Sequence, residues 1–358
     1  MKGYAKPLNE FICGQQIQFV IPVYQRNYDW LQDNCDQLLS DLVKLIHSGR
    51  TSHFFGSIVT SVAGTGFSRL VIDGQQRLTT ISLLLLAGIK AVNDGLLEIS
   101  NESRKDEAYD LFLNAKYCNS ERKIKLVPIE NDRIAYDKIF NGEDELDEDS
   151  KITRNFRHFY DKLTRKPQQL TFDNLLDAVE HLQIISIELD ADDDAQLIFE
   201  SLNSTGLALT EADKIRNYLL MSLTAEEQQL CFKNYWQKIE SATENNPTKF
   251  LRDYLTIKQQ LQRPVRLSNI YFEWKKYMDG RDRKQEMVEM LDYARYYQQV
   301  TEAQMATSKL SAKMRHICNI ESDVTNVFFI QFLKYAATNN LSYDEIDKVI
   351  DVVENYLA

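Results

Sequence analysis

The chain has 358 residues, 44% hydrophobic and 27% charged, enough for two globular domains or one large one. Its net charge of -11 argues against a surface that binds nucleic acid without specificity, although a local basic groove stays compatible with it. Only 12 Gly and 6 Pro predict few long loops and much helix.

Ile17 to Val23 reads as a strand ended by Pro22 and the polar run behind it. Leu31 to Ser48 has Leu38, Leu39, Leu42, Leu45 and Ile46 at helical spacing, with Gly49 as a stop. Phe54 to Ser61 and Arg69 to Ile72 read as strands, with a turn at 63–66 between them. The apolar run Ile81 to Ile89 reads as a buried helix and is far shorter than the ~20 residues of a membrane span. Residues 101–180 are predicted mostly helical, with an extended piece at Ile124 to Ile129 and a self-repelling, solvated acidic loop at 143–149. Leu182 to Leu189 alternates like a strand, and Ala195 to Leu202 is a short helix. Thr210 is a natural N-cap with Asp213 at the third helical position, and everything beyond about Thr224 reads as helix.

Several chemistries are excluded. The five cysteines are scattered without a CxxC pair, which fits a reducing cytoplasm rather than a zinc knuckle or disulfide framework. The five histidines are isolated, and there is no phosphate-binding GxxxxGK[ST] loop, dinucleotide fingerprint or GxSxG elbow.

Three polar clusters stand where regular elements end. The most informative is Asp73-Gly74-Gln75-Gln76-Arg77-Leu78-Thr79-Thr80, which joins an apolar strand to the buried helix. Such a junction builds an anion site: the unpaired N–H groups of the first helical turn and the helix dipole attract negative charge, and Arg77 adds a planar fork for phosphate or carboxylate oxygens. Asp73 is placed to hold a metal, a water or a sugar hydroxyl. The alternative is a plain Asp-Gly turn and helix cap, which needs only one of these polar residues. The second cluster, Tyr24-Gln25-Arg26-Asn27-Tyr28-Asp29-Trp30, sets an arginine among aromatics. Trp30 reads as a core anchor, and Gln25 and Arg26 as functional. The third, Phe199 to Leu207 with Asp213 and Lys214, contains Asn203 and Gly206, which equally describe a helix C-terminus.

Taken together, Ile21 to Trp30, Phe54 to Val59, Ile72 to Thr80 and Ile198 to Thr210 plus Asp213 resemble the N-terminal domain of GmrSD-type modification-dependent restriction endonucleases. The resemblance spans roughly residues 15 to 220. It implies an α+β fold, a ParB/sulfiredoxin-like mixed α/β core followed by a largely helical region. The expected division is a nucleotide-binding domain at 1–220, with a helical insertion at about 95–180, and a helical domain at 221–358. It further implies NTP binding or hydrolysis, Mg²⁺ as cofactor, and a role in sensing modified phage DNA beside an HNH-type nuclease domain or subunit. No His-Asn-His grouping surrounds His316, and the chain ends at Ala358 inside an apparent helix, so it is expected to stop short of that nuclease, and cleavage is not assigned to these residues.

The roles this implies fall on numbered residues. Arg77 and the N–H groups of Gln76 to Thr79 would hold phosphates, Gln75 or Gln76 would orient water, and Asp73 would bind Mg²⁺ or water. Arg26 would balance phosphate charge, and Asn203 would meet base or ribose. Tyr24, Gln25, Gly74, Leu78, Thr79, Thr80 and Gly206 complete the candidate site. With no strong general base among them, slow turnover is expected. The competing reading is a non-enzymatic sensor that takes modified DNA in the same cleft, with basic stretches such as Arg263 with Arg266, Lys275-Lys276 and Arg281 to Lys284 on phosphates. A cytoplasmic protein, with no membrane partner and oligomeric state left open, is expected in either case.

Overall fold

The computed structural model describes residues 1–63, 67–118, 120, 123–165, 170–190, 192–202, 209–318 and 323–357. The chain divides into two compact units, Met1–Gly206 and Leu207–Ala358.

The first unit is mixed α/β. Its strands are β1 (Lys2–Pro7), β2 (Gln18–Val20), β3 (His53–Ala63), β4 (Ser68–Asp73), β5 (Leu126–Val127) and β6 (Leu182–Leu189). They form one sheet in the order β1-β6-β3-β4-β2-β5. β1/β6 and β3/β4 are antiparallel, whereas β3/β6, β2/β4 and β2/β5 are parallel. The helices are α1 (Leu8–Ile12), α2 (Gln32–Ser48), α3 (Gln75–Asn93), α4 (Ser103–Ala108), α5 (Glu130–Phe140), α6 (Lys151–Thr164), α7 (Phe172–Glu180) and α8 (Ala195–Leu202).

The helix α3 is the axis of this unit. Every residue from Leu78 to Gly88 is buried, so the middle of the helix is covered around its circumference. It packs against α6 and α7, and its side chains join Ile58, Val71, Leu182 and Ile184 of the sheet in one hydrophobic core. Burial of these groups, at roughly 25 cal/mol per Å² of apolar surface, is the main force holding the helix in place. The strand β6 shows the two faces of the sheet. Leu182, Ile184 and Ser186 alternate as buried residues, while Ile185 between them is exposed. Val59, Ile72, Leu189 and Phe199 are buried outside that main core, and α8 packs against β4.

Among the described residues of the second unit, every regular element is a helix, as the sequence pattern predicts from about Thr224 onward. Its core is aromatic. Tyr254 lies 5.2 Å from Tyr293 and 6.4 Å from Tyr277 in edge-on geometry, with Trp274 6.3 Å away. These tyrosines therefore fill a core rather than line an interface. Thr210 caps Glu211–Leu220 as expected: Asp213 N donates to Thr210 Oγ1 at 3.1 Å and Thr210 N to Asp213 Oδ2 at 3.2 Å.

Candidate anion site at the start of a buried helix

β4 ends at Asp73 and α3 begins at Gln75. Gly74 between them has φ 98°, and a Cβ there would lie 3.0 Å from Ile58 Cγ1. Both the turn and the close strand therefore require glycine. Leu78 N donates to Gly74 O at 3.0 Å, closing the first helical turn. Among the described residues no side chain caps this end. The N–H groups of Gln75, Gln76 and Arg77 are left, and they stand at the positive end of a long helix. That narrows the expected donor set, because the N–H of Leu78 is already used and Thr79 lies within the helical ladder.

Arg77 is held from two sides. Its Nη2 donates to Ser57 O at 2.5 Å and to Asp73 Oδ2 at 3.0 Å. Its Nε is buried and, among the described residues, has no hydrogen-bond partner. The side chain keeps 24% of its exposure, and Asp73 keeps 22%. Gly56, at φ 113°, supplies the space: a Cβ there would fall 2.5 Å from Arg77 Nη1. The result is a fixed, partly exposed cation beside an uncapped helix start.

The glutamines behave differently. Gln76, 8% exposed, accepts at Oε1 from Asp29 N at 2.8 Å and Trp30 N at 3.2 Å, and donates through Nε2 to Asn27 O at 3.2 Å. Gln75, also 8% exposed, donates to Arg26 O at 3.2 Å. Gln25 donates to Ile72 O at 2.9 Å. These amides staple the loop that follows β2 to the turn that precedes α3, so the first two polar clusters are one assembly. The Gln76 oxygen is filled by two backbone donors and one amide N–H is spent on Asn27 O, which leaves a single amide N–H.

The side chains of Leu78, Thr79 and Thr80 point inward, with Thr80 fully buried. Thr80 Oγ1 donates to Gln76 O at 2.8 Å and lies 2.7 Å from Tyr28 Oη, which Asn155 Nδ2 reaches at 3.0 Å. Tyr24 is buried as well, and burial raises the phenol pKa of both tyrosines well above the ordinary range. Trp30 is half-buried against the main cluster, as expected of a core anchor, and Tyr28 is buried within that cluster. Arg26 lies near the surface with Nη1 3.9 Å from Asp29 Oδ2. Tyr28 N donates to Asp132 Oδ2 at 2.6 Å, and burial pushes the Asp132 carboxyl up to about 6.

Asn203 and Gly206 lie outside the described residues. Asp213 holds its cap and an ion pair with Arg216 at 2.7 Å. Asp73 is committed to Arg77 through Oδ2, and among the described residues no group of three or more His, Cys, Asp or Glu could hold a metal ion. The basic stretches of the second unit are partly engaged. Arg281 and Arg283 lie over the rings of Tyr277 and Tyr218, and Lys284 pairs with Glu227. A cleft of about 500 Å³ lies at the other end of α3, around Lys90 and Tyr160.

A mixed α/β domain whose sheet hands an Asp-Gly-Gln-Gln-Arg turn to a buried helix, with a helical region behind it, is the class that the fold and this junction define. The chain belongs to the family described as GmrSD restriction endonuclease, N-terminal domain, whose profile matches residues 8–220, more than half of its length. It therefore carries a restriction-system domain. No curated protein matches the chain. No helix of the described residues is long and apolar enough to cross a membrane.

Proposed function

We propose that this chain is the nucleotide-binding sensor part of a restriction system acting on modified DNA. The observation that supports this best is the Arg77 guanidinium, fixed by Ser57 O and Asp73 beside the free N–H groups of Gln75, Gln76 and Arg77. Fixed donors at a helix N-terminus suit a phosphate chain. Arg26, from the neighbouring loop, adds a second cation for phosphate charge. Asn203 and Gly206 stay candidates for contacts to base or ribose.

The residues fit Mg²⁺ only as an ion carried on the phosphates. Asp73 Oδ1 is then the single carboxylate oxygen the turn offers, which suits Mg²⁺, an ion that commonly binds one or two carboxylates plus substrate phosphates. When bound, the ion would neutralise phosphate charge. The chain's own residues hold and orient the phosphates. Among the described residues the helix start offers only amides and an Asp73 carboxylate paired with Arg77, which supports binding or slow turnover over fast hydrolysis.

The DNA-sensor reading keeps one observation: Arg263 and Arg266 are exposed and, among the described residues, carry no ion pair. Titration with each of the four NTPs, with and without Mg²⁺, followed by calorimetry and phosphate release, tests the nucleotide reading. Saturable binding of at least one nucleotide is expected. No binding of any of them, with salt-sensitive binding of modified DNA instead, would replace it.

A further inference from the structure

We propose that the cleft at the C-terminal end of α3 is a second ligand site, one that takes a small organic ammonium ion with an aromatic or apolar body. Lys90 in its lining lies roughly 20 Å along the helix from Arg77, by a rise of about 1.5 Å per residue. Its volume of about 500 Å³ is that of a small-molecule pocket. Leu86, Ile89, Ile139, Phe140 and Phe156 form an apolar floor. The rings of Tyr109 and Tyr160 stand among its walls, Tyr109 5.7 Å from Phe140.

The preference for a cation comes from three features. First, α3 ends at Asn93 and α5 ends at Phe140, both in the cleft lining, so two helices direct the negative ends of their dipoles at it. Second, the two cations of the lining are already matched. Lys90 Nζ lies 3.0 Å from Asp94, and Arg157 pairs with Glu148. Three carboxylates line the cleft, Asp94, Glu143 and Asp144. Once Asp94 is assigned to Lys90, Glu143 and Asp144 remain, exposed and with no ion pair among the described residues. Third, Lys90 Nζ stands 5.6 Å from the Tyr160 ring centroid, and Tyr160 Oη donates to Asp94 at 2.6 Å. The protein's own ammonium thus already rests on a ring face that a carboxylate orients.

Tryptamine, its neutral N-acetyl form and anionic indole-3-propionate are the probes, titrated into the whole chain by calorimetry and amide NMR. Tryptamine is expected to bind, with the largest shifts on Lys90, Asn93 and Tyr160 rather than on Gln75 to Arg77, and indole-3-propionate to bind least. Glu143→Gln with Asp144→Asn, both on exposed side chains, should weaken tryptamine about tenfold. Ile89→Trp, which fills the floor, should abolish binding. No tryptamine binding at millimolar concentration, equal binding of the propionate, or an unchanged affinity in the Glu143/Asp144 double variant would overturn the proposal. Because its readouts are far from Arg77, failure here leaves the nucleotide reading standing, and the converse holds too.

Discussion

Gly56 and Arg77 share one volume: the Cβ that Gly56 lacks would sit 2.5 Å from Arg77 Nη1. The strand thus yields its side chain so that the guanidinium can approach the backbone and reach Ser57 O. Gly56→Ala should therefore move Arg77 as well as strain a backbone at φ 113°. A stability loss of about 1–3 kcal/mol is expected, together with nucleotide affinity reduced as far as in Arg77→Ala. Denaturant unfolding and nucleotide titration of both variants check this. A Gly56→Ala protein that keeps wild-type affinity would show that the cation's placement does not matter.

Gln76→Ala is expected to act on stability. It would leave Asp29 N and Trp30 N without their acceptor and release Asn27 O. A loss of about 2–4 kcal/mol follows from stranding two partly buried donors. A water-orienting role predicts the opposite pattern, with unchanged unfolding and a lowered turnover rate. Urea unfolding beside single-turnover phosphate release separates the two.

Asp132 gives the fold a pH dependence. Burial raises its folded-state pKa to about 6, against the ordinary value of 3.8 for an aspartate. Between those values the folded state binds more protons than the unfolded one, so this group's contribution to stability falls as pH rises from about 4 to about 6 and is level above that. The effect is on the order of 2–3 kcal/mol at most. Asp132→Asn keeps an acceptor for Tyr28 N and removes the charge. It should unfold later than wild type at pH 7 and flatten this part of the profile. Equal slopes in the two proteins between pH 4 and 6 would refute the assignment.

The elements with strong periodicity were legible in the sequence. Leu182–Leu189 and Ala195–Leu202 form as read, and Gln32–Ser48 differs from its expected start only because Leu31 is the cap. The N-terminal β1 was not legible. Lys2–Pro7 is polar, mostly exposed and without alternation, and it is defined by pairing with β6, Lys2 opposite Glu188, far along the chain. β2 is shorter than its apolar run because only Gln18–Val20 pairs with β4, and only Phe19 and Val20 also pair with β5. At the site, the strand–glycine–helix junction and Arg77 could be read from local order. The glutamines could not, since their partners lie 46 to 49 residues earlier in the chain. A signal was present in the length of a side chain able to span a turn and a loop, but polar residues at a helix start read equally well as ligands.

The most direct test of the account compares wild type with Arg77→Ala in thermal unfolding, with saturating nucleotide and Mg²⁺. A ligand that binds only the folded state at a hundred times its Kd adds about 2.7 kcal/mol. The account predicts that a nucleotide raises the melting temperature of the wild type and not that of Arg77→Ala. Equal shifts in the two proteins, or no shift with any of the four NTPs, would contradict it.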